Sequence, residues 1–200
     1  MLDAAEREAM ILDAAEAVIL RHGLGGASMS AIAREAGMSK RTLYTVFKGR
    51  TALFAAIVRR IRNAIASPLR DEELHLPLDQ RLRLLLTPSK GELPGHIPAA
   101  ILRTLIAEAE RQPALAREFM QEGPNAMRAM IQAELDRSVD NGEIRIGDTA
   151  SAAALLNDMA HGDIIGGLVS PEAKHDKLRD KARRLDLAIR VFLHGIADRG

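Results

Sequence analysis

The chain has no cysteine, which excludes a disulfide framework and any thiolate metal site and fits a reducing interior such as the cytoplasm. Runs of β-branched or aromatic residues with period two are also absent, which argues against strands. No apolar run approaches the roughly 18 residues that a membrane-spanning helix needs, because Arg, Glu or Asp breaks each one, so a soluble chain with no membrane partner is expected. The opening MLDAAEREAMILDAAEAVILRHG lacks the basic flank and small-residue cleavage site of a secretory signal and should belong to the fold. There is no nucleophile elbow, Gly-rich phosphate loop or HExxH pattern, so no catalytic residue, metal site or cofactor is expected. The last scarcity is local: no acid occurs between Glu35 and Asp71.

What is present is helical. With 200 residues and 47% apolar content, the chain can bury a sizeable core. Nearly every periodic segment has the 3.6-residue spacing, so the fold class is all-α. A first helix should run from about Asp3 to Arg21, with Ile11, Ala15, Val18 and His22 on one face and Gly23 ending it. A second starts at the N-cap Ser28, buries Ile32, Ala33 and Ala36, and stops at Gly37. Met38 reaches back to the core, Ser39 caps again, and a third helix covers Lys40 to Phe47. A fourth, from about Arg50, buries Leu53, Ile57, Ile61 and Ala64 or Ile65 and fails near Ser67-Pro68. A proline-punctuated stretch from Leu69 to Pro98 holds one short helix around Asp79 to Leu86. Longer helices follow at about Ala99 to Arg111, Ala114 to Asn141 with a break at Gly123-Pro124, Thr149 to Leu168, and Glu172 to Ala197.

The charge is unevenly spread. The net is only +1, but residues 1–66 hold ten Lys/Arg against six Asp/Glu and the rest of the chain holds 18 against 21. Only the first third is therefore suited to a polyanion. Two short helices joined through Gly37 make a helix-turn-helix pattern. In the second, Leu43, Val46 and Phe47 share the inward face, which leaves Arg41, Thr42, Tyr44, Thr45 and Lys48 outward. Arg can bind guanine O6 and N7, Thr can offer a hydroxyl or methyl to a base, and Tyr and Lys can hold phosphates. The amino end of that helix points free N–H groups at an anion. The only tyrosine of the chain is Tyr44. The bland alternative is an ordinary turn between short helices with a solvated basic face, but such a face usually mixes both signs.

The run from Ser28 to Phe47, SMSAIAREAGMSKRTLYTVF, and then Leu53 resembles the DNA-binding domain of the TetR family of bacterial transcriptional regulators. The resemblance lies in Ser, Ile-Ala, Ala-Gly, Ser, Leu-Tyr and Phe at fixed intervals. It implies that Ser28 caps its helix against a phosphate and that Lys40, Arg41, Thr42 and Tyr44 reach the major groove or its backbone. Ser30, Ser39, Thr45, Lys48 and Arg50 complete the candidate DNA-binding set. Lys48-Gly49-Arg50 departs from the family's polar cap followed by Lys; Gly49 is the weaker cap by a few tenths of a kcal/mol, and Arg50 can still hold a phosphate.

Leu102 to Pro113, then Phe119, Gly123-Pro124 and Asn141-Gly142-Glu143-Ile144, resembles one branch of TetR-type ligand-binding and dimerisation domains. The implied organisation is a helix-turn-helix DNA-binding domain at 1–49 and a larger helical domain at 50–200, connected by the helix from about 50 to 67. The last two long helices would form a four-helix dimer interface through Leu155, Leu178, Leu185, Ile189, Phe192 and Ile196. Leu178, Leu185 and Phe192 recur every seven residues, a stripe that also fits burial in its own domain. Two recognition helices would then read palindromic half-sites of double-stranded operator DNA about 34 to 36 Å apart, and a small-molecule effector would act by changing that spacing. Leu105, Phe119, Met120, Met127, Met130, Met159 and His161 are candidates for its pocket, although methionines at helical spacing also serve as core filling. Asp158, His161 and Asp163 form one histidine and carboxylate cluster. Asp158 and His161 share a helix face and allow a polar contact to a ligand or dimer mate. They also open the rival reading, a helical metal- or small-molecule-binding protein or enzyme without specific DNA binding.

Overall fold

The computed structural model describes residues 3–87, 97–161, 168–169 and 178–196, and every regular element among them is helical. The helices are α1 (Ala4–Gly26), α2 (Met29–Glu35), α3 (Lys40–Val46), α4 (Arg50–Ile65), α5 (Leu78–Leu86), α6 (Ile97–Glu108), α7 (Pro113–Met120), α8 (Ala126–Asp140), α9 (Thr149–His161) and α10 (Leu178–Ile196). Among the described residues no helix is long and apolar enough to cross a membrane.

Local chemistry explains most boundaries. α1 opens with a capping box: the Asp3 carboxylate accepts from the Glu6 N–H at 2.8 Å and Glu6 answers on the Asp3 N–H at 2.9 Å. Its regular part ends at Gly23, whose φ of 66° is left-handed, and one further turn leads to Ala27. That break moves the chain off the expected face. His22 is exposed and Leu24 fills the core in its place. α4 stops at Ile65, ahead of Ser67-Pro68. The expected break at Gly123-Pro124 is a π-turn over residues 121–125 between α7 and α8, and Pro113 occupies the first turn of α7, where its missing N–H costs nothing.

The chain forms two compact units, 1–61 with 93–123 and 62–92 with 124–200. This differs from a division at residue 50, because Ile101, Leu105 and Leu115 share one core with Ile11, Ile32, Leu43, Phe47, Leu53 and Ile57. Within this first unit, α4 is tied to α1 by Arg60, which reaches Asp13 at 2.7 Å and the buried Glu16. Burial pushes the Glu16 carboxyl up and Arg60 only partly offsets it. Arg59 makes two bonds to Glu122, at 3.0 and 2.9 Å, which tie α4 to the π-turn.

The second unit closes around Leu82, Ile131, Leu135, Leu156 and Ile189. Its polar centre is Arg81, 3% exposed, which meets Glu134, Glu143, Ser138 and two backbone carbonyls. A left-handed Gly142, with φ of 72°, returns the chain so that the Glu143 N–H bonds the Ser138 carbonyl at 2.9 Å, and that turn delivers the Glu143 carboxylate to Arg81.

Candidate nucleic-acid interface

The turn between α2 and α3 is built from backbone bonds that the sequence dictates. Gly37 has φ of 64°, the left-handed geometry that ends a helix. The Met38 N–H returns to the Ala33 carbonyl at 2.9 Å and the Gly37 N–H to the Arg34 carbonyl at 3.2 Å, which is the Schellman pair. Met38 packs on the core as the apolar partner of that motif. Ser39 then caps α3, its Oγ accepting from the Thr42 N–H at 3.0 Å, and Ser28 caps α2 by accepting from the Ala31 N–H at 3.1 Å.

These caps and the core fix the roll of α3. Leu43 and Phe47 are buried and Val46 packs against them. Lys40, Arg41, Tyr44, Thr45 and Lys48 are exposed, Thr42 is half-buried, and Ser28, Ser30 and Ser39 are exposed on the same two-helix motif. Tyr44 is 52% exposed, which leaves its phenol open to a partner. The one carboxylate at the edge of the motif, Glu35, is held by Arg21 at 2.5 Å, and that hydrogen bond lowers its pKa. The face therefore presents cations, and the one carboxylate of the motif is ion-paired with Arg21.

Two hydroxyls are less free than their exposure suggests. The Thr45 Oγ1 donates to the Thr42 carbonyl at 2.7 Å, which leaves its methyl and lone pairs for a partner. The Thr42 Oγ1 and Ser39 Oγ hydroxyls are hydrogen-bonded at 2.9 Å, and either can be the donor. Arg50 departs further from the expected outward cation: its guanidinium Nη2 donates to the Leu24 carbonyl, toward the end of α1.

The candidate effector residues do not form one group within a unit. Leu105, Phe119 and Met120 belong to the first unit; Met127, Met130, Met159 and His161 belong to the second. Leu105 and Met127 are fully inside their cores, Phe119 and Met130 pack against them, Met159 is half-buried and Met120 is open to solvent. Two hollows in the first unit, of about 10 and about 600 Å³, are lined by none of the seven.

Asp158 and His161 also turn to other partners. Asp158 faces Arg128 at 3.5 Å and accepts from the Asn157 amide at 3.3 Å, while the His161 Nδ1 sits 2.8 Å from the Asn157 carbonyl. No group of three metal-binding side chains occurs among the described residues, and Asp163 lies outside them.

The stripe on α10 points inward. Leu185, Ile189 and Phe192 are buried in their own unit's core, so they cannot also line a dimer face; Leu178 and Ile196 have side chains outside the described residues. The opposite side of α10 carries a second apolar pair, Leu187 and Val191, each 52% exposed, and Leu155 of α9 is 58% exposed. The i, i+4 spacing of 187 and 191 is visible in the sequence, but the stronger heptad beside it masks its meaning.

Known proteins share this arrangement. A family model described as bacterial regulatory proteins, tetR family, matches residues 11–57, and one described as AefR-like transcriptional repressor, C-terminal domain, matches residues 97–195. An uncharacterized HTH-type transcriptional regulator of Mycobacterium tuberculosis is 29% identical over 158 residues, 76% of this chain and 70% of its own length, and a regulator of Mycobacterium bovis matches equally. Among solved structures, the flavonoid-responsive regulator FrrA superposes with a TM-score of 0.71 at 23% identity, covering 98% of this chain and 100% of its own. SmeT, the repressor of the Stenotrophomonas maltophilia multidrug efflux pump SmeDEF, is 27% identical with a TM-score of 0.51, covering 96% and 91%. With residues 11–57 and 97–195 matched in chain order, an exposed polar face on α3 and a helical second unit, the protein belongs to the TetR family of bacterial transcriptional regulators.

Proposed function

We propose that this regulator is a homodimeric, cytoplasmic repressor that reads palindromic operator DNA through α3 and is released by a small-molecule effector. The observation that carries the reading is the outward set Lys40, Arg41, Thr42 and Tyr44, fixed in register by the buried Leu43 and Phe47. Arg41 reads a base, Tyr44 and Lys48 hold phosphates, and Ser28 and Ser39 bring the amino ends of α2 and α3 to the backbone. Arg50 has no place in this set.

Dimerisation uses the outer faces of α9 and α10, with Leu155, Leu187 and Val191 as the apolar contact and Arg183 and His194 at its edge. Exposed apolar side chains of this size on adjacent helices support a protein contact there. Two-fold symmetry then sets the α3 spacing. Repression is supported by the match to the AefR-like repressor domain and by the repressor SmeT, and effector control by the flavonoid-responsive FrrA. An effector that prefers the wrongly spaced conformer weakens operator binding by its differential affinity and no more.

Mobility shift against the intergenic DNA beside the protein's own gene tests the reading. Retardation of that duplex, but not of a shuffled one, is expected. Absence of binding at low salt, or binding that ignores sequence, would sink it.

A further inference from the structure

Arg50 stands where a phosphate ligand is expected, yet its side chain is half-buried and is one wall of a hollow of about 10 Å³ lined by Ile19, Leu24, Ile32, Leu53 and Phe54. Its Nη2 bonds the Leu24 carbonyl, which also accepts the Ala27 N–H at 3.2 Å. Two residues on, the Gly26 carbonyl accepts the Ser28 N–H at 2.9 Å, and Ser28 is the cap of α2. The same turn is confined from α6: a Cβ on Gly25 would stand 3.1 Å from the Glu108 carboxylate, and one on Gly23 would stand 3.7 Å from the Thr104 methyl. The turn thus lies close to α6 side chains on one side, and Arg50 supplies its hydrogen bond from α4.

We infer that Arg50 is a positioning residue for operator binding, which fixes the Leu24–Ser28 turn and with it the amino end of α2, and that it contacts no phosphate itself. The inference rests on the operator-binding reading above. To reach DNA the guanidinium would have to give up its part-buried bond to the Leu24 carbonyl, which would keep only the Ala27 N–H, and leave the hollow that its stem covers.

The two roles differ in salt dependence. Removing one phosphate ligand from each half-site shallows the slope of log affinity against log salt by about 0.9 per ligand, hence about 1.8 for a dimer. Arg50→Met keeps an apolar stem over the hollow and removes the donors. It is compared with wild type and Lys48→Met on a duplex enriched by the full-length wild-type protein from a randomised library, below the unfolding midpoint of every variant. Arg50→Met should bind on the order of tenfold more weakly at every salt concentration, the scale of one charge-assisted hydrogen bond, with the wild-type slope; Lys48→Met should be shallower. A shallow slope for Arg50→Met, or affinity equal to wild type, overturns the inference. Should Arg50→Met fail to fold, Arg50→Lys replaces it, since lysine keeps a charge for a phosphate but stops short of the Nη2 position. Weaker binding at unchanged slope then supports the inference, and wild-type binding overturns it. A wild-type protein that enriches no duplex removes the operator-binding reading itself, a result distinct from either slope.

Discussion

Replacing Arg81 by methionine should destabilise the fold by about 3 to 5 kcal/mol near neutral pH, the range for removing one partner of a buried ion pair. The magnitude follows from the charges and acceptors that the guanidinium faces. Its Nε lies 2.6 Å from Glu134, its Nη2 lies 2.8 Å from Glu143 and 2.7 Å from Ser138 Oγ, and its Nη1 lies 2.9 Å from the Leu76 carbonyl. Glu134 is 4% exposed, and without Arg81 its remaining cation is Arg137 at 3.5 Å. Burial already raises the Glu134 pKa, with Arg81 the chief opposing charge. A carboxyl whose folded value lies above its unfolded value favours folding in acid, and that contribution is lost as pH rises from the unfolded value through the folded one. Removing Arg81 pushes the folded value higher and extends the loss upward in pH. Urea unfolding of Arg81→Met and wild type should therefore show a deficit at about pH 8 that narrows at about pH 5. Adding Glu134→Gln should recover part of the deficit at the higher pH. A deficit that is equal at both pH values, or below about 1 kcal/mol, would refute the reasoning.

Arg41→Ala should lose about 1 to 3 kcal/mol of operator binding and relax base preference, whereas Lys48→Ala should weaken all sequences alike and shallow the salt slope. Both side chains are exposed, so thermal midpoints should hold, and identical binding behaviour would undo the division into base and phosphate contacts. Ser39→Ala removes the cap on the Thr42 N–H and should destabilise by about 1 kcal/mol in thermal unfolding; an unchanged midpoint would mean that the cap contributes nothing. Leu187→Lys with Val191→Lys should give a folded monomer in sedimentation, because both side chains are exposed within the unit, while Ile189→Lys, fully buried, should unfold it. A double variant that stays dimeric places the interface elsewhere.

The helix-turn-helix motif was legible because its determinants are local. Ser28, Gly37 and Ser39 act on backbone groups within five residues, and Leu43 and Phe47 fix the roll of α3 by spacing alone. The break at Gly123-Pro124 was legible for the same reason, though not its π-helical form. What stayed hidden depends on partners distant in sequence. The heptad in α10 marks an apolar stripe but not what covers it, and α5, α8 and α9 take Leu185, Ile189 and Phe192 before a second copy can. Ile101, Leu105 and Leu115 carry no mark that assigns them to the core of α1 to α4. A cation beside a helix start reads as a phosphate ligand until the Leu24 carbonyl, 26 residues away, is seen to hold it. Arg81 carries no signal of its burial, since an arginine between leucines in a short amphipathic helix reads as its solvated side.

Fluorescence anisotropy of the full-length protein at physiological salt, on the selected duplex and on the same duplex scrambled, tests the central claim most directly. The account predicts binding to the selected duplex at least on the order of 10³-fold tighter than to the scrambled one, with most of that ratio lost in Arg41→Ala. Equal affinity for the two duplexes, falling together with salt, would mean that the polar face of α3 is a basic surface that reads no sequence.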